Sequence, residues 1–270
     1  MPEAALAFLF GLLIGSFLNV CIHRMPKDLS VVRPRSRCPV CEKQIAWYDN
    51  IPLLSYLLLR GRCRHCDARI SPRYPLVELL TGLLFAAAVL HLGPTAAALK
   101  LCLFVALQVG LLFTDLEALI LPDEFTLGGL GAGLLLAYFI PIEDATAGAM
   151  LWLAGVEAGP RLISVADSAL GAALPAGFLW LGGWLFEKIR HKEGLGFGDV
   201  KLVAMIGAFL GLRGALLTLL AGSILGSIIG LIYIKLANKD AGTYELPFGT
   251  FLGAAAIAVA FLATTVTAAP

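Results

Sequence analysis

Gly196-Phe197-Gly198-Asp199 stands at the start of the apolar run from Val200 to Leu212, and the rest of the chain can be interpreted outward from it. An acid there has an ordinary explanation, because an Asp ahead of an apolar helix caps the free N–H groups of its first turn. A second acid, Asp115, ends another apolar run, from Leu99 to Thr114. Two carboxylates at one membrane face can form a catalytic pair, and ionisable groups at that depth are functional candidates.

The composition places these runs in a membrane. Of the 270 residues, 59% are hydrophobic and only 14% are charged, and the mean hydropathy is +0.86. A soluble domain is far more polar. Crossing the hydrocarbon layer takes about 20 mostly apolar residues, and about eight runs are candidates. They are residues 4–22, 76–92, 96–114, 125–140, 165–186, 200–212, 215–235 and 246–268. We therefore expect an all-α polytopic membrane protein.

The basic residues set the predicted orientation. With the N-terminus outside and eight crossings, 17 of the 20 Lys and Arg fall in cytoplasmic segments, as the positive-inside rule requires. Both termini are then extracytoplasmic. The ends of the two apolar runs that carry Asp115 and Asp199 then face the cytoplasm.

One sizeable polar segment interrupts the apolar pattern. Residues 23–74 carry eleven basic residues against four acids, and include Cys38-Pro39-Val40-Cys41 and Cys63-Arg64-His65-Cys66. Two Cys-x-x-Cys pairs separated by 21 residues are typical of a tetrahedral zinc site with four thiolates and no open position. The sequence thus predicts structural zinc on Cys38, Cys41, Cys63 and Cys66. Thiol redox chemistry and unpaired cysteines remain the alternatives.

This pattern divides the chain into three predicted parts: helix 1 (residues 1–22), a cytoplasmic zinc-binding domain (23–74) and a seven-helix membrane core (75–270). The apolar stretch from Ile51 to Leu59 is too short to cross and is expected in the lipid interface. Membrane lipids account for the positive charge of the loop. No nucleic-acid-binding fold accompanies that charge, so we expect no nucleic acid.

Several other residues have ordinary structural explanations. Gly11 and Gly15 are spaced for close helix packing, with Asn19 as an interhelical hydrogen-bond donor or acceptor. Glu78 suits the start of its helix, with a functional role as the alternative. Asp123 follows a proline and is expected to cap the next helix.

A set of motifs now points to a family. They include Gly15-Ser16-Phe17-Leu18-Asn19-Val20, both cysteine pairs, Asp115-Leu116-Glu117, Leu121-Pro122-Asp123, Gly196-Phe197-Gly198-Asp199 and Pro247-Phe248-Gly249. In this order they resemble the type IV prepilin peptidases, and the Gly-x-Gly-Asp element resembles that of the wider group of intramembrane aspartyl proteases. The family pattern tolerates Ile at Leu121 and Pro at Thr250.

The resemblance implies a bifunctional enzyme of the bacterial inner membrane, with Asp115 and Asp199 as its catalytic residues. It implies cleavage of prepilins or pseudopilins after the glycine that ends a basic leader, on the cytoplasmic side. Methylation of the new N-terminus by S-adenosylmethionine would follow. The sequence identifies no residues that bind the methyl donor.

Aspartic proteolysis needs one ionised and one protonated carboxylate. Asp199 begins a helix, where the dipole favours an anion, and Asp115 ends one, where it favours the acid. We therefore expect Asp199 as the base and Asp115 as the proton carrier. Gly196 and Gly198 are candidates for leaving room for the substrate backbone.

Other functions remain open at this point. An ion-coupled or proton-coupled transporter also holds carboxylates in the bilayer, but it would not cleave peptides. A preflagellin-type peptidase would need neither the zinc loop nor methylation. A zinc-dependent thiol redox protein would survive the loss of both aspartates.

Overall fold

A computed structural model describes residues 1–142, 146–153, 155, 157–191, 196–237 and 246–267. Its α-helices are α1 Pro2–Arg24, α2 Leu54–Leu58, α3 Arg73–Leu92, α4 Ala96–Ala118, α5 Asp123–Phe139, α6 Thr146–Leu153, α7 Pro160–Arg190, α8 Phe197–Leu236 and α9 Phe248–Thr267, with 3₁₀ turns at Met25–Lys27 and Trp47–Asn50. The chain forms two compact units, residues 1–110 and 111–270.

In the first unit, α1 and α3 pack backbone to backbone. A Cβ added at Gly15 would lie 2.7 Å from the Cα of Glu78, and one at Gly11 would lie 2.8 Å from the Cα of Gly82. The Nδ2 of Asn19 donates a hydrogen bond to the carbonyl of Tyr74, at 3.0 Å. The predicted roles of the glycines in packing and of Asn19 in interhelical hydrogen bonding are both confirmed.

In the second unit, glycines bring α8 against its neighbours. A Cβ at Gly207 would overlap the carbonyl oxygen of Gly171 in α7, and one at Gly133 in α5 would lie 2.8 Å from the ring of Phe209. Gly222 and Gly226 meet Leu252 and Phe251 of α9 in the same way. Small residues let membrane helices approach this closely.

The chain reverses direction inside α8. Gly211 has φ 72° and ψ −176°, a conformation that favours glycine. Both ends of α8 lie near the start of α9. Gly198, at one end, lies against Leu121, which also lies against Gly249. Gly230, near the other end, lies against Leu246, three residues before Gly249. A straight helix would separate Gly198 from Gly230 by roughly 48 Å. Residues 197–210 and 212–236 are therefore the first and second arms of a hairpin.

Asp167 of α7 holds this reversal together. Its side chain is fully buried, and its Oδ2 accepts a hydrogen bond from the N–H of Leu212, at 3.3 Å. Its Oδ1 accepts from the hydroxyl of Thr146, at 2.7 Å, and from the N–H of Ala147, at 2.9 Å. One carboxylate thus caps the start of the second arm and the start of α6, whose N–H groups have no partner within their own helices.

Among the residues that the structure describes, five helices are long and apolar enough to cross a membrane: α1 with its following 3₁₀ turn, α3, α4, α7 and α8. The all-helical, multi-pass prediction is confirmed at this level. The expected loop at 141–164 contains α6, and α7 extends beyond the predicted 165–186 at both ends. These errors arose because eight residues are too few to recognise a helix by hydropathy, and polar ends hide helix limits. Lys192, Lys239 and the C-terminal end of the run 246–268 lie outside the described residues.

The contact between Gly207 and Gly171 predicts a large effect of one methyl group. Gly207→Ala should lower the free energy of unfolding by about 1–3 kcal/mol, since the added Cβ overlaps backbone that cannot move aside. Thermal unfolding in detergent measures this.

The matched control for that change is Gly131→Ala in α5, where an added Cβ has no neighbour within 4 Å. It should leave the protein as stable or stabilise it by up to about 1 kcal/mol. Equal melting temperatures for the two variants would contradict the packing described here.

Candidate functional site

Four helix ends converge in the second unit. The last turn of α4 carries Asp115, the first turn of α8 carries Asp199, and α9 begins at Phe248. Leu121, just before α5, packs between the starts of α8 and α9. A Cβ added at Gly198 would lie 3.3 Å from the Leu121 side chain, and a Cβ added at Gly249 would lie 3.1 Å from it. The two predicted aspartates are thereby brought to one place from positions 84 residues apart.

Asp115 is buried, with 5% of its surface exposed, and is held by the start of α9. Its Oδ2 accepts hydrogen bonds from the backbone N–H of Thr250, at 2.6 Å, and from the Thr250 hydroxyl, at 3.0 Å. The same hydroxyl contacts the Leu112 carbonyl, at 3.2 Å. Asp115 therefore lies at the end of its own helix but at the N-terminus of α9.

Asp199 is half-buried and lies in the first turn of α8. The helix is capped by Gly196, whose carbonyl accepts the Asp199 N–H at 3.1 Å. Asp199 is thus not the N-cap residue, and the capping explanation of this acid is wrong. It lies close enough to Asp115 for the charge of Asp115 to act on its carboxyl group.

The two glycines before Asp199 have different surroundings. A Cβ at Gly196 would sit 3.5 Å from the Asp199 carboxylate, an ordinary contact, whereas one at Gly198 would press on Leu121. The space beside Gly198 is thus filled by Leu121. Room for a substrate backbone at either glycine stays a prediction.

The other acids nearby have separate roles. Asp123 was expected to cap α5, but the cap position belongs to Pro122, and Asp123 forms an ion pair with Lys201 of α8. This pair joins the start of α5 to the first arm. Glu117 is exposed, as expected for an acid on the opposite side of α4 from Asp115.

In the first unit the four predicted cysteines form one cluster. The sulfur atoms of Cys38, Cys41, Cys63 and Cys66 all lie within 4.8 Å of one another, and Cys38 and Cys66 are 3.7 Å apart. A tetrahedron with metal–sulfur bonds of about 2.3 Å has edges of about 3.8 Å. The cluster can therefore bind a metal ion.

The two cysteine pairs have the same local fold, which explains how they face each other. In the first, the N–H of Glu42 bonds to the Cys38 carbonyl; in the second, the N–H of Asp67 bonds to the Cys63 carbonyl. Glu42 and Asp67 both have left-handed backbone conformations. Each pair thus forms a tight turn that directs its two sulfur atoms to the same side.

The thiols influence one another strongly. Burial opposes ionisation of Cys38, but backbone hydrogen bonds at Cys41 and Val40 lower its pKa to about 7. A backbone hydrogen bond at Ala68 acts to lower the pKa of Cys66, but burial and the three other thiols raise it to about 12. Such groups titrate as a set, and a metal ion binds the thiolate forms.

The sequence alone does not reveal the roles of Thr250, which holds Asp115, and of Asp167, which holds the reversal in α8. Thr250 carried only one signal, its place directly after Pro247-Phe248-Gly249. Asp167 was the only acid within the run 165–186, and that isolation was the sign of an intramembrane role.

Comparison with known proteins covers most of the chain. A family model described as the bacterial peptidase A24 N-terminal domain matches residues 9–92, and the type IV leader peptidase family matches residues 101–231. No solved structure gives a significant match.

Among curated proteins, the chain is similar to several named prepilin leader peptidase/N-methyltransferase. One from Myxococcus xanthus is 46% identical over 88% of this chain and 65% of the relative. One from Aeromonas hydrophila is 39% identical over 93% and 88%. One from Pseudomonas aeruginosa is 38% identical over 92% and 86%.

The cysteine cluster predicts stoichiometric metal binding. Elemental analysis of purified protein should find one metal ion per chain, and Cys38→Ser or Cys63→Ser should reduce the metal content at least about tenfold, because a thiolate ligand is lost. Cys102→Ala, which changes a buried cysteine outside the cluster, is the control and should retain the metal. Full metal content in the Cys38 and Cys63 variants would contradict the assignment.

Proposed function

The chain belongs to the type IV leader peptidase family, and we propose on that premise that it cleaves the leader from prepilins or pseudopilins and N-methylates the new N-terminus. Its relatives, similar over about nine-tenths of the chain, are named prepilin leader peptidase/N-methyltransferase. Those names and the match of the N-terminal domain favour the bifunctional enzyme over a preflagellin-type peptidase or a transporter.

The observation that carries the peptidase function is the meeting of Asp115 and Asp199. Each comes from the end of an otherwise apolar helix, and the charge of one acts on the other. Two carboxylates whose charges act on each other favour a state in which they share one proton. That state is what aspartic proteolysis requires.

The hydrogen bonds favour a division of roles opposite to the one expected from the sequence. Both donors of Thr250 point to Asp115, and donors of this kind complement a carboxylate anion. The N-terminal end of α9, which is positively polarised, faces the same oxygen. We assign the negative charge to Asp115 and the proton to Asp199. The dipole argument leads to the opposite assignment because it considers only the helix on which each aspartate lies.

In this assignment Asp115 accepts a proton from the attacking water, whose oxygen then bonds to the scissile carbonyl carbon. Asp199 donates a hydrogen bond to the carbonyl oxygen as negative charge develops there. When the tetrahedral intermediate collapses, the C–N bond breaks, the carbonyl re-forms, and the leaving amine takes up the proton that Asp115 accepted from the water. Asp115 stays fixed through Thr250 while its charge changes.

We propose eight membrane crossings, formed by α1, α3, α4, α5, α7, the two arms of α8, and α9. Support comes from the reversal at Gly211, which divides α8 into two arms. By the distribution of basic residues, the aspartates and the cysteine loop face the cytoplasm of a bacterial inner membrane, with both termini outside. The three parts 1–22, 23–74 and 75–270 remain the proposed domain division.

We assign zinc to the cysteine cluster, because four thiolates at tetrahedral spacing are its typical structural ligands. All four positions are taken by protein, so the ion supplies stability rather than catalysis. The names of the relatives imply a methyl donor, and family resemblance identifies it as S-adenosylmethionine. We attribute no residues to its binding.

Loss of either aspartate should abolish cleavage. Asp115→Asn and Asp199→Asn should each reduce the rate at least about a thousandfold, since neither can form the one-proton pair. The measurement is mass spectrometry of a prepilin incubated with purified protein, with and without S-adenosylmethionine.

Glu117→Gln, which changes an exposed acid two residues from Asp115, is the matched control and should cleave normally. Both Asn variants should melt near the wild-type temperature. Cleavage by the double Asn variant would refute the mechanism.

The family pattern tolerates Pro, which has neither donor, at position 250, so Thr250 is an aid that is specific to this chain. Its hydroxyl should support the reaction. Thr250→Val keeps the backbone N–H but loses one donor to Asp115, so cleavage should slow about tenfold, in line with a hydrogen bond to a charged group. Thr250→Ser keeps the donor and should restore most of the rate. If the Val and Ser variants were equally active, the hydroxyl would have no role in holding Asp115.

A further inference from the structure

The cysteine loop exposes a group of large apolar side chains. Leu57 and Leu58 of α2 are 71% and 73% exposed, and Trp47, in the preceding 3₁₀ turn, is 71% exposed. Tyr48 and Leu54 are about half exposed as well. We call these five residues the apolar ledge. A cluster of this kind on a polar loop marks a binding surface.

A hydrogen bond fixes the position of the ledge along α3. The N–H of Leu53, at the start of α2, donates to Oε2 of Glu78 at 2.9 Å. Glu78 is the sixth residue of α3 and is buried against α1 at Gly15. It therefore lies about 8 Å along the helix from its start. Interfacial helices lie roughly 5–10 Å into the boundary between headgroups and acyl chains. If the bilayer boundary is taken at the start of α3, α2 lies at that depth.

The charge around the ledge matches an anionic surface. Arg60 and Arg62 follow α2 directly, Arg69 comes shortly after, and all three are exposed. The one acid of the 3₁₀ turn, Asp49, is neutralised by a double hydrogen bond from Arg64, at 2.8 and 2.6 Å. Basic residues beside apolar ones attract anionic headgroups.

A continuous set of contacts joins the ledge to the cysteine cluster. Arg64 lies between Cys63 and Cys66 and holds Asp49 in the 3₁₀ turn. The hydroxyl of Ser55, in α2, donates to the carbonyl of Tyr48 at 2.9 Å and accepts the N–H of Ile51 at 3.0 Å. The second cysteine pair, the 3₁₀ turn, α2 and α3 are thus linked by hydrogen bonds in sequence.

We propose that the apolar ledge is a lipid-binding surface inserted among anionic headgroups, and that the metal-bound cysteine cluster holds it in the orientation for insertion. The metal centre then anchors the loop to the bilayer as well as stabilising its fold. This role is independent of the peptidase reaction, so loss of one does not decide the other.

Fluorescence of Trp47 tests the insertion. In the full chain, Trp152, Trp180 and Trp184 are changed to Phe, and the protein is reconstituted in vesicles of phosphatidylcholine and phosphatidylglycerol. Lipids with brominated acyl chains should quench Trp47 at least about twofold, and aqueous iodide should quench it little. Leu57→Glu with Leu58→Glu should remove the bromolipid quenching and expose Trp47 to iodide.

Val40→Glu is the control, because it puts an acidic side chain on an exposed apolar residue of the cysteine loop that lies outside the ledge. It should leave the quenching unchanged, and elemental analysis should find the metal retained in this variant and in the Leu57/Leu58 variant. Metal removal by a chelator, or Cys66→Ser, should reduce bromolipid quenching of Trp47.

Three results would overturn the proposal or one part of it. Strong iodide quenching with no bromolipid quenching in the parent protein would place the ledge in water. Protection of Trp47 from both agents would indicate a protein partner, such as a second copy or the substrate. Unchanged bromolipid quenching after metal loss would refute the anchoring role of the cluster.

Discussion

A helix that begins within a membrane leaves backbone N–H groups that water cannot reach, and leaving them unsatisfied is costly. The second unit meets this constraint with two buried aspartates. Asp115 accepts the N–H of Thr250 at the start of α9, and Asp167 accepts the N–H groups of Leu212 and Ala147. Both carboxylates come from neighbouring helices, so each bond also joins two elements.

The same structural device has two different outcomes. Asp167 is fully buried and has partners on both oxygens, which leaves it no capacity for chemistry. The contacts with Thr250 converge on one oxygen of Asp115, and the site also contains Asp199. A cap with a second carboxylate beside it is a reactive site, whereas a cap surrounded by donors is a structural one.

Much of this arrangement could be predicted from the sequence. The apolar runs and glycine spacing indicated the helices and their close packing, and the cysteine spacing indicated the cluster. Asp115 and Asp199 stood out because acids are rare beside apolar runs. The partner of Asp115 could not be foreseen, because Thr250 is 135 residues away and hydropathy says nothing about which helix starts meet. The reversal at Gly211 was inferred only as a gap between two runs, and Asp167, which holds it, passed unnoticed.

The order of the capped segments along the chain has a consequence for biogenesis. Asp167 precedes Leu212, and Asp115 precedes Thr250, so the acceptors for the second arm and for α9 are synthesised before those two segments. Only α6, whose start Asp167 also caps, is made before its acceptor. When the second arm or α9 emerges from the ribosome, its acceptor is already in the bilayer. A circular permutation that moved α7 behind α8 would preserve every contact of the finished fold. The second arm would then have to enter the lipid before an acceptor for its first N–H groups had been synthesised.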